Sequence, residues 1–520
     1  MKFNMDESKQ RKIGVVLSYA SIIISTLVQL IYTPFMIRKL GQSEYGLYSL
    51  IASVIGYLTL FDLGFGNAIV VYTSKYQATN QKEKAKKMQG MFKVVFWIVG
   101  GIVAIAGIIL YFNVENMFGK TMTSLELNKA KVMMLILTVN LVITFSFNIY
   151  SSVINAHERF VFQKIISIIN TLLKPMIMIP LLLLGYKSIA MCLTITVVNI
   201  IVVLSNYYYC TKKIKIKIKF QGFDEIIFKE IFKYSIFIFI NIIVDKINWS
   251  LDQFILGATS GTIAVSIYSV ATNINTLFLN LSGAVSGILL PKVSKMVAKN
   301  ASSNVLTEEM IKVGRLQWLI IFLMASGITL FGKEFFIWWA GIEYEESYYV
   351  ALLLVIPACI PLIQNLGISI RQAMNKHQFA AYLNIVIAIF NAIISIFLAK
   401  KYGAVGAALG TAGGILLSSL IMNVFYCKAI KLDMIKFWKE IIKMTIPFCI
   451  PVFIITIIMK FIKIYGINGV LVYGSVYTII YIIIAYVFSM NQYEKGIIKN
   501  FINHVNKKVI HIFNKEYGKV

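Results

Sequence analysis

Two acidic residues, Asp245 and Asp252, fall inside a strongly apolar segment near the middle of the chain. With Asn241 and Asn248 they occupy positions i, i+4, i+7 and i+11, which places all four side chains on one face of a helix. A charge at bilayer depth is costly unless it pairs or faces water. The two acids therefore need water, a cation, a proton or a partner such as Lys246 on an adjoining face. This stripe predicts that the helix lines a hydrated cavity.

Polar faces also mark three other apolar segments. Their polar residues recur every three to five positions: Ser266, Ser269, Asn273, Thr276 and Asn280; Ser18, Ser21, Ser25, Gln29 and Tyr32; and Ser49, Ser53, Tyr57 and Asp62. Such faces suit a passage for a polar headgroup, but Ser, Thr and Asn also form hydrogen bonds between packed membrane helices. Both interpretations stay open for these residues. Asp62 is either a cavity residue or a solvated residue near the interface.

Two isolated cations complete the candidate binding residues. Lys174 precedes Pro175 inside an apolar segment, where it either meets a phosphorylated lipid or pairs internally. Arg371 follows another apolar segment and acts either as an anchor on the basic side of the membrane or as a gate at the cavity mouth.

The elements that must position these residues are membrane-spanning helices. Hydrophobic residues make up 58% of the 520 residues and charged residues only 14%, so the composition lies outside that of soluble proteins. Apolar runs of about 20 residues predict about fourteen spans, among them Leu47–Tyr72, Val94–Tyr111 and Tyr234–Leu256. We therefore expect an all-α polytopic membrane protein.

Basic residues predict the orientation of the chain. Most of the 50 Lys and Arg fall in alternate loops, notably Lys75–Lys93, Lys212–Lys233 and the tail after Asn491, whereas Gly341–Ser347 is acidic. Because Lys and Arg in short loops stay on the cytoplasmic side, both termini are predicted to be cytoplasmic, N-in and C-in. Within the second loop, Lys213–Lys219 reads KIKIKIK and predicts either a solvated linker or a strand-like segment at the membrane surface.

Other sequence features argue against several kinds of chemistry. The 5 cysteines contain no CxxC pair, the 4 histidines fall in predicted loops or the tail, and no GxxxxGK[ST] motif occurs. We therefore expect no enzyme activity, no metal centre and no cofactor, and we expect a substrate gradient, a proton or sodium gradient or a partner to supply energy. The net charge of +27 is explained by cytoplasmic loops facing anionic lipids, so no nucleic acid partner is expected.

Four segments of the chain resemble one family of membrane proteins. They are Leu40–Gly66, Asp252–Ile274, Pro291–Lys295 and Asn384–Thr411. In order and spacing the chain resembles the polysaccharide-exporter flippases of the multidrug/oligosaccharidyl-lipid/polysaccharide superfamily. The resemblance covers most of the chain between about Leu40 and about Asn423.

The resemblance implies two six-helix lobes around a central cavity, two extra C-terminal helices and alternating access. It implies that an undecaprenyl-pyrophosphate-linked oligosaccharide moves from the inner to the outer leaflet of the bacterial plasma (inner) membrane, for O-antigen, capsule or a related polysaccharide. The implied partners are this lipid-linked oligosaccharide, membrane lipids, a polysaccharide polymerase and glycosyltransferases. Lys174, Lys246 and Arg371 are candidate cations for the pyrophosphate.

We accordingly divide the chain into an N-terminal lobe with its basic linker (residues 1–228), a C-terminal lobe (229–430) and a final helix pair with a basic tail (431–520). Two other transport functions stay open. One is a cation-coupled multidrug exporter with Asp245 and Asp252 as ion sites, and the other is a lipid II flippase. Lipid II flippases of this superfamily look distinct in carrying arginines within the first two helices, whereas Arg38 lies at the end of the first span. A non-transporting scaffold would not need the intramembrane charges.

Overall fold

The computed structural model describes residues 7–299, 301–374, 376, 378–464, 466–497 and 499, and every regular element in them is helical. The α-helices are α1 (Glu7–Leu40), α2 (Gln42–Tyr57), α3 (Phe65–Ala78), α4 (Lys82–Phe118), α5 (Ser124–Ala156), α6 (Phe160–Leu183), α7 (Ser188–Tyr208), α8 (Glu225–Thr259), α9 (Gly261–Ala298), α10 (Ser303–Trp339), α11 (Glu346–Ile363), α12 (Asn365–Ala373), α13 (Gln378–Phe425), α14 (Met434–Phe461) and α15 (Gly466–Ile484). Five short turns of 3₁₀ or π geometry join or extend them: Leu58–Asp62, Tyr209–Lys213, Ile342–Tyr344, Tyr426–Ile430 and Ala485–Ser489. The predicted all-α class is confirmed.

Membrane crossing follows from helix length and composition. In the part of the chain that the structure describes, 12 helical segments are long and apolar enough to span a bilayer. One of them, Gln378–Ile430, has 53 residues, and α8, which is not among the 12, has 35 residues. The protein is therefore a multi-pass membrane protein. The number fourteen and the orientation of the termini stay predictions.

Several helices run well beyond their predicted spans. The predicted span Val94–Tyr111 is the middle of α4, which has 37 residues and a rise of about 55 Å. The hydrocarbon core is only about 30 Å thick. The backbone N–H and C=O groups inside a helix bond to each other, so α4 can continue from lipid into water without a break. The exposed lysines of its first turns are in contact with that water. Hydropathy detects the lipid-embedded part alone.

The helix α13 is a hairpin of two antiparallel arms. Its backbone reverses at Gly403, which has φ 54° and ψ −132°. A Cβ added to Gly406 would lie 2.1 Å from the carbonyl oxygen of Leu398, and one added to Gly410 would lie 2.3 Å from Oγ of Ser395. Small residues thus let the two arms approach at backbone distance, as membrane helices commonly do.

We expect Gly406→Ala to lower the free energy of unfolding by roughly 1–3 kcal/mol, because the new methyl group must push the two arms of the hairpin apart. The matched control is Gly413→Ala in the same arm, where an added Cβ meets nothing within 4 Å. This control should be neutral or stabilising by up to ~1 kcal/mol, because alanine favours a helix. Denaturant titration of both purified variants provides the measurement, and equal effects at the two glycines would contradict the close packing.

The second predicted span, Leu47–Tyr72, is interrupted. The helix α2 gives way to the 3₁₀ turn Leu58–Asp62, and Leu63 and Gly64 are left-handed with φ 51° and 76° before α3 begins. At Gly64 an added Cβ would also lie 2.9 Å from Ile238 of α8, so glycine is required there on both counts. The break exposes backbone N–H groups at bilayer depth, and these need an acceptor.

The described residues form two compact units. Unit 1 contains residues up to Thr272 and the hairpin arms within Ala381–Gly414, whereas unit 2 contains Asn273–Ala380 and the residues after Gly414. The predicted boundaries at 228 and 430 stay predictions. In unit 1 an aromatic core joins α3, α4 and α5, with Phe65 and Phe92 in edge-to-face contact at 5.2 Å.

Unit 2 has its own core. Side chains of α10, α14 and α15 pack together around Phe448 and Tyr481, whose ring centroids are 4.7 Å apart. At one end of this core Arg315 of α10 donates from Nε to Glu494 (2.7 Å) and from Nη2 to the same carboxylate (3.0 Å). Both side chains are almost fully buried, at 6% and 1% exposure. This ion pair fastens the segment after Ser489 to α10.

One histidine at the end of α5 makes stability depend on pH. Nδ1 of His157 donates to the carbonyl oxygen of Val153 (2.8 Å), so Nε2 accepts from Gln77 (2.7 Å), an arrangement that needs the neutral ring. Burial lowers the pKa of His157 below 6.5. The unfolded chain therefore binds the proton first.

We expect the free energy of unfolding to decline as the pH falls from about 6.5 toward the lowered pKa of His157. His157→Gln removes the titrating group, so the variant should lose this part of the pH dependence. Thermal unfolding between pH 7.5 and 5 measures the difference. Parallel curves for the two proteins would show that His157 does not contribute.

Candidate functional site

The carboxylate of Asp252 in α8 is buried, with 3% of the residue exposed. Its Oδ2 accepts hydrogen bonds from the hydroxyl of Tyr268 in α9 and from Oγ1 of Thr411 in α13 (2.6 Å). Its Oδ1 is buried and has no hydrogen-bond partner in the described part of the chain. An oxygen of a buried carboxylate without a partner is expensive and marks a place where a proton or cation would be stabilised.

More oxygen atoms surround this carboxylate. Asn391 donates from Nδ2 to Oγ1 of Thr411 (3.2 Å) and accepts from Oγ of Ser395 (2.9 Å), which also lies 3.3 Å from the carbonyl oxygen of Ala407. We call Asp252, Tyr268, Asn391, Ser395 and Thr411 the Asp252 cluster. All five are buried.

Two helix hairpins assemble the Asp252 cluster. In the first, Asp252 and Tyr268 lie eight residues before and after Ser260, beside the left-handed Gly261 (φ 83°). In the second, the reversal at Gly403 brings Asn391 and Ser395 next to Thr411. The hydroxyl of Ser260 donates to the carbonyl oxygen of Ala399 (3.1 Å) and so joins the two turns.

The cluster combines one negative charge with hydroxyl, amide and carbonyl oxygens. Among the described residues no Lys or Arg forms an ion pair with Asp252, and no group of three His, Cys, Asp or Glu is placed to hold a metal ion. Hard cations prefer such oxygen ligands, and a single carboxylate balances one unit of positive charge. The arrangement therefore suits one proton or one monovalent cation.

Comparison with known proteins identifies the family. Residues 13–297 match the family described as "Polysaccharide biosynthesis protein". The chain belongs to this family. A Shigella flexneri protein named for O-antigen transport is 21% identical over 418 residues, which cover 78% of this chain and 95% of that protein. A Haloferax volcanii protein named for low-salt glycan flipping is 25% identical over 189 residues, or 35% of this chain and 39% of that protein.

Solved structures share the fold of this family member. The lipid II flippase MurJ in an inward closed conformation aligns with a TM-score of 0.72 at 17% identity, covering 92% of this chain and 98% of MurJ. An inward-facing multidrug resistance transporter of the MATE family aligns with a TM-score of 0.57 at 12% identity, covering 77% of this chain and 96% of the transporter. At these identities the likeness concerns the fold. It confirms the predicted fold of a polytopic helical membrane protein.

Of the predicted acidic stripe, the structure describes the side chain of Asp252. The side chains of Asn241, Asp245 and Asn248 lie outside the described residues. The ion pair with Lys246 that the sequence left open for Asp252 is replaced by the bonds to Tyr268 and Thr411. Lys246 is therefore not among the hydrogen-bond partners of Asp252.

The two predicted lysines, Lys174 and Lys246, lie in unit 1. Lys174 on α6 and Lys246 on α8 are each partly buried and form no ion pair with any described residue. The ammonium of Lys246 lies beside α2, 3.3 Å from where a Cβ on Gly56 would be. Two partly buried cations that pair with no described carboxylate can receive an anionic group.

Asp62 lies at the break in the second span, two residues before the left-handed Gly64. Its carboxylate accepts a hydrogen bond from Nδ2 of Asn148 (3.1 Å). A negative charge just before a helix N-terminus is favoured by the helix dipole. The two interpretations that the sequence left open for Asp62, a cavity residue and a solvated residue near the interface, both stay predictions.

The remaining predicted residues are dispersed. Arg371 lies on α12 in unit 2, with Nη1 3.9 Å from Sδ of Met422 and a buried Nε that has no hydrogen-bond partner among the described residues. Gln29 on α1 and Asn273 on α9 are partly exposed, and Asn280 is exposed. None of these is hydrogen-bonded to the Asp252 cluster in the contacts described.

Sequence reasoning missed the role of Tyr268, Asn391, Ser395 and Thr411. A local signal was present, because Asn391 and Ser395 lie one turn apart on the same face of the first arm of α13. Sequence reasoning also missed Glu44 of α2, a buried acid that accepts hydrogen bonds from Lys129 and Ser188. It lies in the first turn of α2, after Gly41.

Proposed function

We propose that this chain is a flippase that moves undecaprenyl-pyrophosphate-linked oligosaccharide repeat units from the inner to the outer leaflet of a bacterial plasma membrane. Family membership and the relative named for O-antigen transport support this proposal. The fold, which this chain shares with the lipid II flippase MurJ, also supports it. The observation that carries the mechanism is the buried Asp252 cluster, because transport against a gradient needs a site where a coupling ion is taken up.

The Asp252 cluster would couple transport to a proton or sodium gradient. With Oδ1 unpartnered, the carboxylate is poised to take up one positive charge. A bound proton or sodium ion would draw together the oxygens of the α8–α9 hairpin and of the two arms of α13. The ion-free state keeps an unbalanced charge in a dry site, so ion binding and helix packing are linked through the same atoms. A shift between inward-open and outward-open states can be biased in this way.

The substrate would bring two phosphates and a neutral or acidic glycan. Lys174 and Lys246 are the unit 1 groups that can neutralise the pyrophosphate, since neither is paired with a described carboxylate. Arg371 is the corresponding candidate in unit 2. Upstream glycosyltransferases would supply the lipid-linked unit on the inner leaflet, and a polymerase would consume it on the outer leaflet.

The direct test is a deletion strain assayed for the leaflet position of the lipid-linked repeat unit. Loss of surface glycan together with accumulation of the repeat unit on the cytoplasmic leaflet is expected, and plasmid-borne wild-type protein should restore export. Normal glycan with drug hypersensitivity would favour the multidrug exporter. A defect in peptidoglycan synthesis would favour the lipid II flippase, and no trapping of lipid-linked sugar would refute the proposed function.

A further inference from the structure

The segment that joins α7 to α8 has two different sides. Residues 214–224 have no regular secondary structure, yet Ile218 is buried in the aromatic core of unit 1 and Ile214 and Ile216 pack against that core. The side chains between them, Lys215 and Lys217, are exposed. The period-two pattern of the sequence therefore places isoleucines inward and lysines outward, although no strand forms in the segment.

Close contacts hold this segment in place. A Cβ on Gly90 of α4 would lie 2.0 Å from the carbonyl oxygen of Lys219, so the backbone lies directly on α4. The backbone N–H of Ile216 donates to the carbonyl oxygen of Cys210 (3.2 Å). The rings of Tyr209 and Phe162 stack with centroids 3.7 Å apart. The lysines are thus presented from a fixed support, which reduces the entropy lost when they bind a partner.

The charge on this surface is not balanced by the acids beside it. Lys212, Lys213, Lys215, Lys217 and Lys219 are all exposed and form no ion pair with any described residue. The nearby acids are already paired with other lysines: Asp224 with Lys87 (2.9 Å), Glu225 with Lys229 (2.6 Å) and Glu230 with Lys75 (3.3 Å). Five neighbouring cations therefore remain available for an anionic partner.

An apolar groove runs from this basic edge along α6 and α7. Its volume is about 610 Å³, and its walls include Ile166, Ile201 and Leu204. Lys213 and Tyr208 lie among its lining residues at the end where α7 meets the segment. Tyr208 at this end is exposed, as are Phe220 and Phe223 farther along the segment, and aromatic side chains of this kind favour the membrane–water interface.

We infer that this surface, Lys212–Phe223 with the groove between α6 and α7, is a binding site for an anionic phospholipid of the membrane. One acyl chain lies along Ile201 and Leu204, and the phosphate meets Lys213 and the lysines that follow it. Cations of this kind near a membrane surface attract anionic lipids. We call Lys213, Lys215, Lys217 and Lys219 the rail. These lysines bind lipid headgroups and so hold the linker at the bilayer surface. This inference does not depend on the identity of the transported glycan.

The experiment uses the full-length protein in detergent and measures retained lipid by native mass spectrometry. Dioleoyl phosphatidylglycerol and dioleoyl phosphatidylcholine are added in separate samples, and inorganic phosphate is added as a competitor. Wild-type protein is expected to retain at least tenfold more phosphatidylglycerol than phosphatidylcholine, and phosphate should not displace it. Equal retention of the two lipids, or complete displacement by phosphate, would overturn the inference.

Two variants locate the site. The first removes four charges of the rail: Lys213→Gln, Lys215→Gln, Lys217→Gln and Lys219→Gln. Its matched control removes four exposed lysines elsewhere: Lys400→Gln, Lys401→Gln, Lys460→Gln and Lys463→Gln. Retention of phosphatidylglycerol should fall at least tenfold in the first variant and stay near wild type in the control.

Leu204→Trp, which fills the groove and leaves every lysine in place, should also reduce retention severalfold. Because Leu204 is exposed, its replacement is not expected to disturb the packed core. Unchanged retention in both the Leu204 variant and the rail variant would refute the site. Size-exclusion profiles that match the wild type confirm that each variant is folded.

Discussion

Asp252→Asn is expected to reduce surface glycan at least tenfold in a deletion strain complemented with the variant. Asparagine keeps the shape of the side chain and an acceptor for Tyr268 or Thr411, but it removes the only charge in the Asp252 cluster. The site can then bind neither a proton nor a cation with useful affinity. Because a buried charge has been neutralised, the protein should be folded and at least as stable as the wild type. Surface glycan and the leaflet position of the lipid-linked unit are the measurements.

A thermal-stability measurement on purified protein distinguishes sodium coupling from proton coupling. If sodium is bound, sodium chloride should raise the melting temperature of the wild type relative to choline chloride, with an increment that grows as the logarithm of sodium concentration. Asp252→Asn should abolish that increment, as should Thr411→Val, whereas Thr411→Ser keeps the hydroxyl and should retain it. Asp62→Asn is a charge-matched control: Asp62 lies outside the Asp252 cluster and accepts a hydrogen bond from Asn148, so the variant should leave the sodium response intact. Wild-type glycan export by Asp252→Asn at equal expression would remove this residue from the mechanism.

Arg315→Met is expected to lower the free energy of unfolding by about 3–5 kcal/mol, because it removes the cation beside a buried carboxylate and leaves Glu494 with the backbone N–H of Asn491 as its described donor. Arg315 supplies two hydrogen bonds to that carboxylate and a third, from Nη2, to the carbonyl oxygen of Ser489 (2.8 Å). Denaturant titration in detergent measures the change. Limited proteolysis should show faster cleavage after Ser489, because the final segment is released from α10.

Two further variants test the physical reason. Arg315→Met combined with Glu494→Met replaces the pair by apolar side chains and should recover much of the lost stability. The exposed pair of Lys333 and Glu345, with Nζ 2.7 Å from Oε1, is the matched control, and Lys333→Met should cost no more than about 1 kcal/mol. An Arg315 variant as stable as the Lys333 variant would show that burial of Glu494 carries no penalty.

Local patterns predicted the helical class and the apolar segments, whereas the role of Asp252 stays a prediction. For Lys213–Lys219 the sequence left open a solvated linker or a strand-like segment at the membrane surface; the structure has no strand there, and Ile218 is buried in the core while the lysines are exposed. Helix lengths were underestimated, as in α4, because hydropathy falls at the bilayer surface while the backbone remains helical. The break at Leu63 and Gly64 was missed because mean hydropathy over the whole apolar run stays high and does not register a left-handed turn of two residues.

The partners of Asp252 could not be read from one helical face. Thr411 lies 159 residues away in sequence, and its contact depends on how two hairpins pack. Asp252, a member of the predicted acidic stripe, is buried in the structure. Lys246 was considered as its partner because residue spacing describes neighbours on one helix only. Nothing in the segment of Asp62 showed that the chain turns left-handed just after it, and the choice between a cavity residue and a solvated residue stays open.

The assembly of the Asp252 cluster from two distant hairpins has a consequence for biosynthesis. At a synthesis rate of about 5–20 residues per second, Thr411 follows Asp252 out of the ribosome after about 8–30 seconds. During that interval the newly inserted α8–α9 hairpin holds an acid whose only described hydrogen-bond donor is Tyr268. The nascent protein is then most exposed to quality-control proteases, and its escape from them depends on how quickly the second hairpin arrives.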